Sequence, residues 1–360
     1  MSDTNSLARL LETLDNVFGV TGNEEEVAGA LKNEMAGFFD DYYADPLGNQ
    51  YYIRKGTASD KRVMFAAHMD EIGFIIKYID DDGFARIFPV GYHDDKMVVN
   101  QDLVFNTASG KKVYGVTGAK PFHMMSEDEL HSPLKIQDLF VDFGVQSAAE
   151  ARALGLEIGD LGGYSRRGFF LNGTDYYSGK AVDDRSGLAV LVEVMRRLKD
   201  EPLLPTICMA GTTQEEIGMH GGGPAARSFK PELFFAVDVT LTGGSPGIEW
   251  RDSSQKMGGG ICVKYYDWDP NVSCGNTVPR HLTNRMIELA KKHHIPFQRE
   301  VMMGGGTDAW PASLADSGVL AGGISIPSRY IHTAVGTVKL SDLEHCVNYI
   351  IAYLKDYQSL

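Results

Sequence analysis

Cysteine is scarce in this chain. The four residues, Cys208, Cys262, Cys274 and Cys346, stand in a sequence of 360, and no two form a C-x-x-C pair. That excludes a disulfide-stapled scaffold and a cysteine-based zinc finger, and it fits a reducing compartment. No stretch approaches about 18 uninterrupted apolar residues, so nothing reads as a membrane span. The opening MSDTNSLARLLETLDNVF also lacks the basic segment and long apolar run of a secretory leader, and the expected location is the cytoplasm. Positive charge is in deficit as well: 34 Lys and Arg against 48 Asp and Glu give a formal net charge of −14. A body that acidic repels phosphate backbones, so no nucleic-acid partner is expected. What is plentiful is apolar material, 43% of the chain, and glycine, 40 residues without a collagen-like period. The length supplies a large core and exceeds one ordinary domain.

Leu7, Leu10, Leu11, Leu14 and Phe18 fall at helical spacing, and the Gly-Val-Thr-Gly that follows breaks the run. Thr21 and Glu24 predict a capping box for a second helix with Val27, Leu31, Met35 and Phe38 on one face. Residues 63–67 predict a buried strand. From about Phe74 the texture changes to strand pairs around Asp82-Gly83 and Ser109-Gly110, with one short helix over 148–154 and no βαβ rhythm. The α/β rhythm then begins: a helix over 186–198, strands over 205–211, 233–237, 260–266 and 319–326, and a helix face at Leu282, Met286 and Leu289. Ser341 and Glu344 predict another capping box, opening a last helix with Leu343, Val347, Ile350 and Leu354 inward. The expected fold class is α/β. A mostly parallel sheet flanked by helices comes from residues 1–73 and 167–360, and a small all-β unit over 74–166 is inserted into it.

Five short motifs carry candidate chemistry: Ala67-His68-Met69-Asp70, Val182-Asp183-Asp184-Arg185, Gln214-Glu215-Glu216, Val237-Asp238-Val239 and Tyr330-Ile331-His332. Each alone has an ordinary explanation as a cap, a turn residue or a charged loop. Together they matter because His68, Glu215-Glu216 and Asp238 directly follow predicted strands, with His332 close behind another. The carboxyl ends of strands in an open α/β sheet form the ligand crevice. Two imidazoles and several carboxylates gathered there are costly without cations, which points to a metal site. Histidine and carboxylate donors without thiolate suit Zn²⁺, Co²⁺ or Mn²⁺, and their number suggests two ions sharing a bridging aspartate. Of the adjacent Glu215 and Glu216, one then binds metal and the other stays free as a base.

His68-Met69-Asp70-Glu71-Ile72-Gly73, Asp183-Asp184-Arg185, Glu215-Glu216, Asp238, Arg329-Tyr330-Ile331-His332 and the late Gly304-Gly305-Gly306-Thr307-Asp308-Ala309 loop occur in one order along essentially the whole chain. In this the chain resembles the family-42 metallo-aminopeptidases, the tetrahedral TET-type enzymes that include glutamyl aminopeptidases and relatives labelled endoglucanase. The resemblance implies a zinc-peptidase-like fold whose β insertion is a dimerisation domain, with dimers assembling into a dodecamer. It implies two divalent ions per chain, zinc or cobalt with manganese also suited. His68 and Asp238 would serve one ion, Glu216 and His332 the other, and Asp183 would bridge them. Glu215 would be the general base for attack by the metal-bridging water on peptides with a free N-terminus, and Asp70 would orient His68. Two segments depart from the family pattern: Thr333-Ala334-Val335-Gly336 after His332, where relatives commonly carry Ser-Pro, and Gly91-Tyr92-His93-Asp94 in place of Gly-Gly-Trp. The rival readings are a related dinuclear deacylase or carboxypeptidase, a glycosidase, and a non-catalytic assembly protein.

Overall fold

A strand that is apolar on both faces belongs in the middle of a covered sheet, and Pro205–Thr212 is buried at every position. It pairs in parallel with Ala58–His68, which pairs in parallel with Leu233–Leu241, which pairs in parallel with Leu320–Arg329. The computed structural model describes residues 3–132 and 134–357, so the outermost residues of the expected α/β unit lie outside the described ones. Alternation along these strands divides the core. Val63, Phe65 and Ala67 face a layer built on the helices Asp3–Asp15, Glu25–Met35, Val182–Arg197, Arg280–Lys292 and Leu340–Lys355. Met64 and Ala66 face the helices Gly222–Phe229 and Ala309–Ser313, packed through Ala225, Phe229 and Ala312.

The expectation of a mostly parallel sheet is corrected. The sheet has twelve strands and is mixed, with a parallel centre and antiparallel margins. On one side lie Gln50–Arg54 and Asp41–Ala44; on the other lie Gly336–Lys339, Tyr176–Gly179 and Phe169–Phe170. The strand Ile261–Asp269 runs antiparallel to Leu320–Arg329 and parallel to Phe297–Met303. The marginal strands are mostly five residues or fewer and tyrosine- or glycine-rich, which leaves no apolar alternation to find.

Along the chain, between the His68 strand and Phe169–Phe170, lies a closed six-stranded barrel. Its order is Gly73–Ile79, Ala85–Val90, Phe140–Asp142, Lys112–Thr117, Asp102–Asn106 and Leu161–Tyr164, with every neighbouring pair antiparallel. It has its own core, centred on Phe74, Ile87, Leu103, Phe105 and Val141.

Neither predicted capping box forms. The helix Glu25–Met35 starts without a side-chain cap, because the Thr21 hydroxyl donates to Asp70 and the Glu24 carboxylate accepts from the Gly22 and Gln214 amides. The helix Leu340–Lys355 starts one residue before Ser341 without a side-chain cap, and Glu344 pairs with Arg197 at 2.6 Å. In both cases a tertiary partner outcompetes the local one.

The strand ends are tied together by buried charge. Arg185 donates to the carbonyls of Leu14 and Met69 at 2.8 and 3.0 Å and lies 3.4 Å from Glu71. Lys180 reaches both Glu71 oxygens at 2.5 and 2.6 Å, while Asp15 accepts from the Ala181 amide and the Tyr177 hydroxyl. The first helix, the segment after His68 and the segment before Asp183 are thereby locked to one another. Removing one member of a buried pair strands the other charge, at a cost of about 3–5 kcal/mol. Lys180→Met is therefore expected to lower unfolding stability by roughly 3 kcal/mol in a urea titration; a change of under about 0.5 kcal/mol would mean that the pair holds nothing in place.

Candidate metal centre

Four of the five motifs ride on parallel strands whose carboxyl ends share one edge. His68 is the last residue of Ala58–His68, Glu215 and Glu216 follow Pro205–Thr212, and His332 lies in the turn after Leu320–Arg329. Asp238 was expected just past its strand. It stands within it instead, since Leu233–Leu241 continues alongside its neighbour for three more residues. Asp183 opens the helix Val182–Arg197, where it and Asp184 have non-helical dihedrals. The backbone is bent to purpose at two points: Gln214 and His332 have φ of 55° and 60°, a left-handed conformation that costs a non-glycine residue about 1–3 kcal/mol.

These segments bring all five candidate ligands together. One triad is His68, Asp183 and Asp238; the other is Asp183, Glu216 and His332, and within each the donor atoms lie within 4.8 Å of one another. Asp183 belongs to both. Its Oδ1 is 2.9 Å from His68 Nε2 and its Oδ2 is 3.5 Å from His332 Nε2. His332 Nε2 is 3.2 Å from Glu216, and His68 Nε2 is 3.9 Å from Asp238. Asp184 plays no such part: it turns inward, accepts the Gly187 amide, and burial pushes its carboxyl far above the ordinary range.

Asp70 organises the surroundings. Its carboxylate accepts from the Thr21 hydroxyl at 2.8 Å and from the backbone amides of Glu215 and Glu216 at 3.0 and 3.1 Å. His68 Nδ1 meets the Asp70 carbonyl at 3.0 Å and its carboxylate at 3.5 Å. Both contacts face the same ring nitrogen, and the Asp70 carboxylate in addition fixes the glutamate turn. With Nδ1 donating to that carbonyl, Nε2 is the nitrogen directed at Asp183.

The electrostatics suit a cation pair. Burial, with Asp183 as a neighbouring charge, raises Asp238 to about 7. Burial and the Asp238 and Glu216 charges push Glu215 well up, although the charge of His68 opposes this. Glu216 is also raised, chiefly by burial. Both histidines are pushed well above their ordinary value because Asp183, Glu216 and Asp70 outweigh the burial that would lower them. Carboxylates and imidazoles alike are shifted toward binding protons, the signature of a site that favours added positive charge, and divalent cations suit it.

Some residues here carry no sequence signal of their own. Thr21 and Glu24 look like a helix cap, and Lys180 stands outside every motif, yet they hold the site loops by the contacts above. Asp308 accepts the Gly222 amide at 2.9 Å, and burial pushes its carboxyl to about 6. Within the resembling fingerprint, Arg185 and Glu71 show their burial only in the tertiary structure. The candidate ligand cluster opens on a cavity of about 420 Å³ that also exposes Glu215. His93 is half-buried against Phe74 and contacts the carbonyls of Gly73 and Val90. It belongs to the barrel junction.

The profile of the M42 glutamyl aminopeptidase family matches residues 48–349. The glutamyl aminopeptidase of Lactococcus lactis subsp. cremoris is 29% identical over 348 residues, spanning 96% of this chain and 94% of its own. The lysyl aminopeptidase of Pyrococcus furiosus is 30% identical over 345 residues, 95% of each chain. Among solved structures, the Pyrococcus horikoshii TET1 peptidase is similar with a TM-score of 0.85 at 31% identity, over 97% of this chain and 99% of its own.

A group whose folded pKa is raised stabilises the fold below its unfolded value, and that contribution is lost as pH rises through the folded one. Asp238, raised from 3.8 to about 7, and the two histidines, raised above 6.5, act in the same direction. Asp70 and Asp183 are lowered and titrate in acid, outside this window. The metal-free protein should therefore lose thermal stability between about pH 6 and pH 8, and a divalent cation that replaces the protons should flatten the loss. A melting temperature in chelator that rises across this window would contradict the assignment.

Proposed function

Since the chain belongs to the M42 glutamyl aminopeptidase family, we propose that it removes N-terminal residues from peptides by a two-metal mechanism centred on Asp183. Membership makes it an aminopeptidase, a hydrolase of the exopeptidase class, and makes metal dependence the family expectation. The observation that carries the two-metal reading is the Asp183 carboxylate, with one oxygen toward His68 and the other toward His332. His68 and Asp238 would complete one position and Glu216 and His332 the other. When bound, divalent ions such as Zn²⁺, Co²⁺ or Mn²⁺ supply polarisation of the scissile carbonyl and acidify the attacking water.

The protein groups account for the proton transfers. Glu215 lines the cavity beside the cluster, and its backbone amide is held by Asp70. Its raised proton affinity suits a base that takes a proton from the attacking water and returns it to the leaving amine. Glu216, one residue on, points to His332 at 3.2 Å and is the ligand of the two. The carboxylates around the cavity would also receive the substrate's free α-ammonium, which restricts cleavage to the first residue of a chain.

The barrel is proposed as the dimerisation domain of a homo-oligomer. Its outer surface exposes Tyr78, Phe88, Tyr114, Val116, Phe122 and Met124, an apolar load that suits a buried interface. The related P. horikoshii peptidase can assemble into a tetrahedron or a large octahedral shell, and a dodecamer is the assembly proposed here. No helix among the described residues is long and apolar enough to cross a membrane; a cytoplasmic setting is part of the proposal.

Glu215→Gln is expected to retain both metals by elemental analysis while turnover on aminoacyl chromogenic substrates falls by ~10²–10⁴-fold. Glu216→Gln should instead shed one ion first and recover activity in excess metal. Near-normal turnover in Glu215→Gln, or metal loss from that variant alone, would reverse the assignment. Loss of all cleavage when the substrate amine is acetylated separates an aminopeptidase from a deacylase. For the assembly, light scattering at micromolar concentration should report a species far larger than one chain, and a stable monomer would remove the role given to the barrel.

A further inference from the structure

We infer that the cavity beside the metal cluster is built for an N-terminal side chain with a long apolar stem and a positive end, lysine or arginine, and that Asp269 selects it. This deepens the aminopeptidase reading and rests on it. The walls away from the cluster are apolar, formed by Met219, Val239, Leu241, Val272 and Met302. Among the described residues no lysine or arginine lines the cavity, and apart from the candidate ligands and Glu215 the one charged lining residue is Asp269.

Asp269 ends the strand Ile261–Asp269 and is 5% exposed. Oδ1 accepts the Asn271 amide at 2.8 Å. Tyr92, carried by the barrel into the same cavity, faces this carboxylate, and its phenol is raised first by burial and then by the Asp269 charge. Among the described residues Asp269 has no cationic partner. The neighbouring Lys264 is committed to Glu300 at 3.0 Å and reaches no further than Asp267 on this strand. A carboxylate kept out of water without a counter-charge is unfavourable, and a ligand that brings the missing cation removes the penalty. The methylenes of a lysine or arginine stem match the apolar walls while the head reaches the carboxylate. A glutamate or aspartate side chain would instead place a second negative charge in the cavity. Leucine would fill the walls and leave Asp269 without a counter-charge.

Two measurements test this. In a panel of aminoacyl chromogenic substrates, kcat/KM for Lys and Arg is expected to exceed that for Glu and Asp by about tenfold or more. Free lysine and norleucine, which differ by the terminal ammonium, are compared by calorimetry on the same protein. Lysine is expected to bind about tenfold more tightly, with the difference lost in Asp269→Asn, whose side-chain oxygen can still accept from Asn271. The ratio of Lys to Leu turnover should fall in step. Turnover with acidic residues equal to or above basic ones overturns the inference and leaves the aminopeptidase reading standing, as does a lysine-to-norleucine ratio unchanged by Asp269→Asn. Asp269-dependent lysine binding without hydrolysis of any substrate would sink the aminopeptidase reading and keep the pocket. Should the variant not fold, the panel and the lysine–norleucine comparison on the unaltered protein decide the question.

Discussion

Like charges gathered out of water are the constraint on which the rest of this structure depends. Asp183, Asp238, Glu215 and Glu216 converge at one edge of a sheet, where each would rather be far from the others. The fold holds them there by spending its strongest interactions just behind the site. Asp70 grips two successive amides of the glutamate turn. Arg185, completely buried, is clamped by carbonyls from the first helix and from the loop after His68. Lys180 and Glu71 form a buried pair across the same junction. Such an arrangement is preorganised: buried contacts fix the positions of the candidate ligands independently of one another.

The parallel centre of the sheet explains why so many donors come from distant parts of the chain. Three neighbouring strands run the same way, so their exits share an edge although they are separated by more than 100 residues between His68 and Glu215. Into that gap the chain inserts a closed barrel, which leaves the sheet at Gly73, five residues after His68. The barrel therefore begins beside the candidate ligand cluster and sends Tyr92 back to the cavity wall. The barrel thus also borders the cavity, which couples the shape of that cavity to how the barrel is seated. His93 contributes to that seating from the barrel side through the Gly73 and Val90 carbonyls.

The two acidic pairs show how neighbours in sequence acquire opposite duties. Asp183 faces the cluster between two histidines, while Asp184 is turned into the protein against Gly187. Glu216 meets His332, while Glu215 faces the open cavity. Backbone direction alone separates them, set by the non-helical start of one helix and by the left-handed Gln214 before the other pair.

The sequence by itself determined the elements with strong periodicity: the central strands, the helix with Val27, Leu31 and Met35, the last helix, and the hairpins of the barrel around Asp82-Gly83 and Ser109-Gly110. It also marked His68, Asp183-Asp184, Glu215-Glu216, Asp238 and His332 as candidates, because histidines and carboxylates at strand ends and a helix start form a pattern that burial alone does not produce; the family resemblance, not the pattern, singled out Asp183 and Glu216 within their pairs. Tertiary structure decided the rest. Thr21, Glu24 and Glu344 have the spacing of helix caps, but partners distant in sequence claim their side chains, and no local rule registers that competition. The short marginal strands, such as Asp41–Ala44 and Tyr176–Gly179, gain their identity from pairing rather than from their own alternation. Asp269 shows the same limit at the site: one acidic residue at the end of a strand is unremarkable in sequence, and only the packing that withholds every cation from it makes it a recognition element.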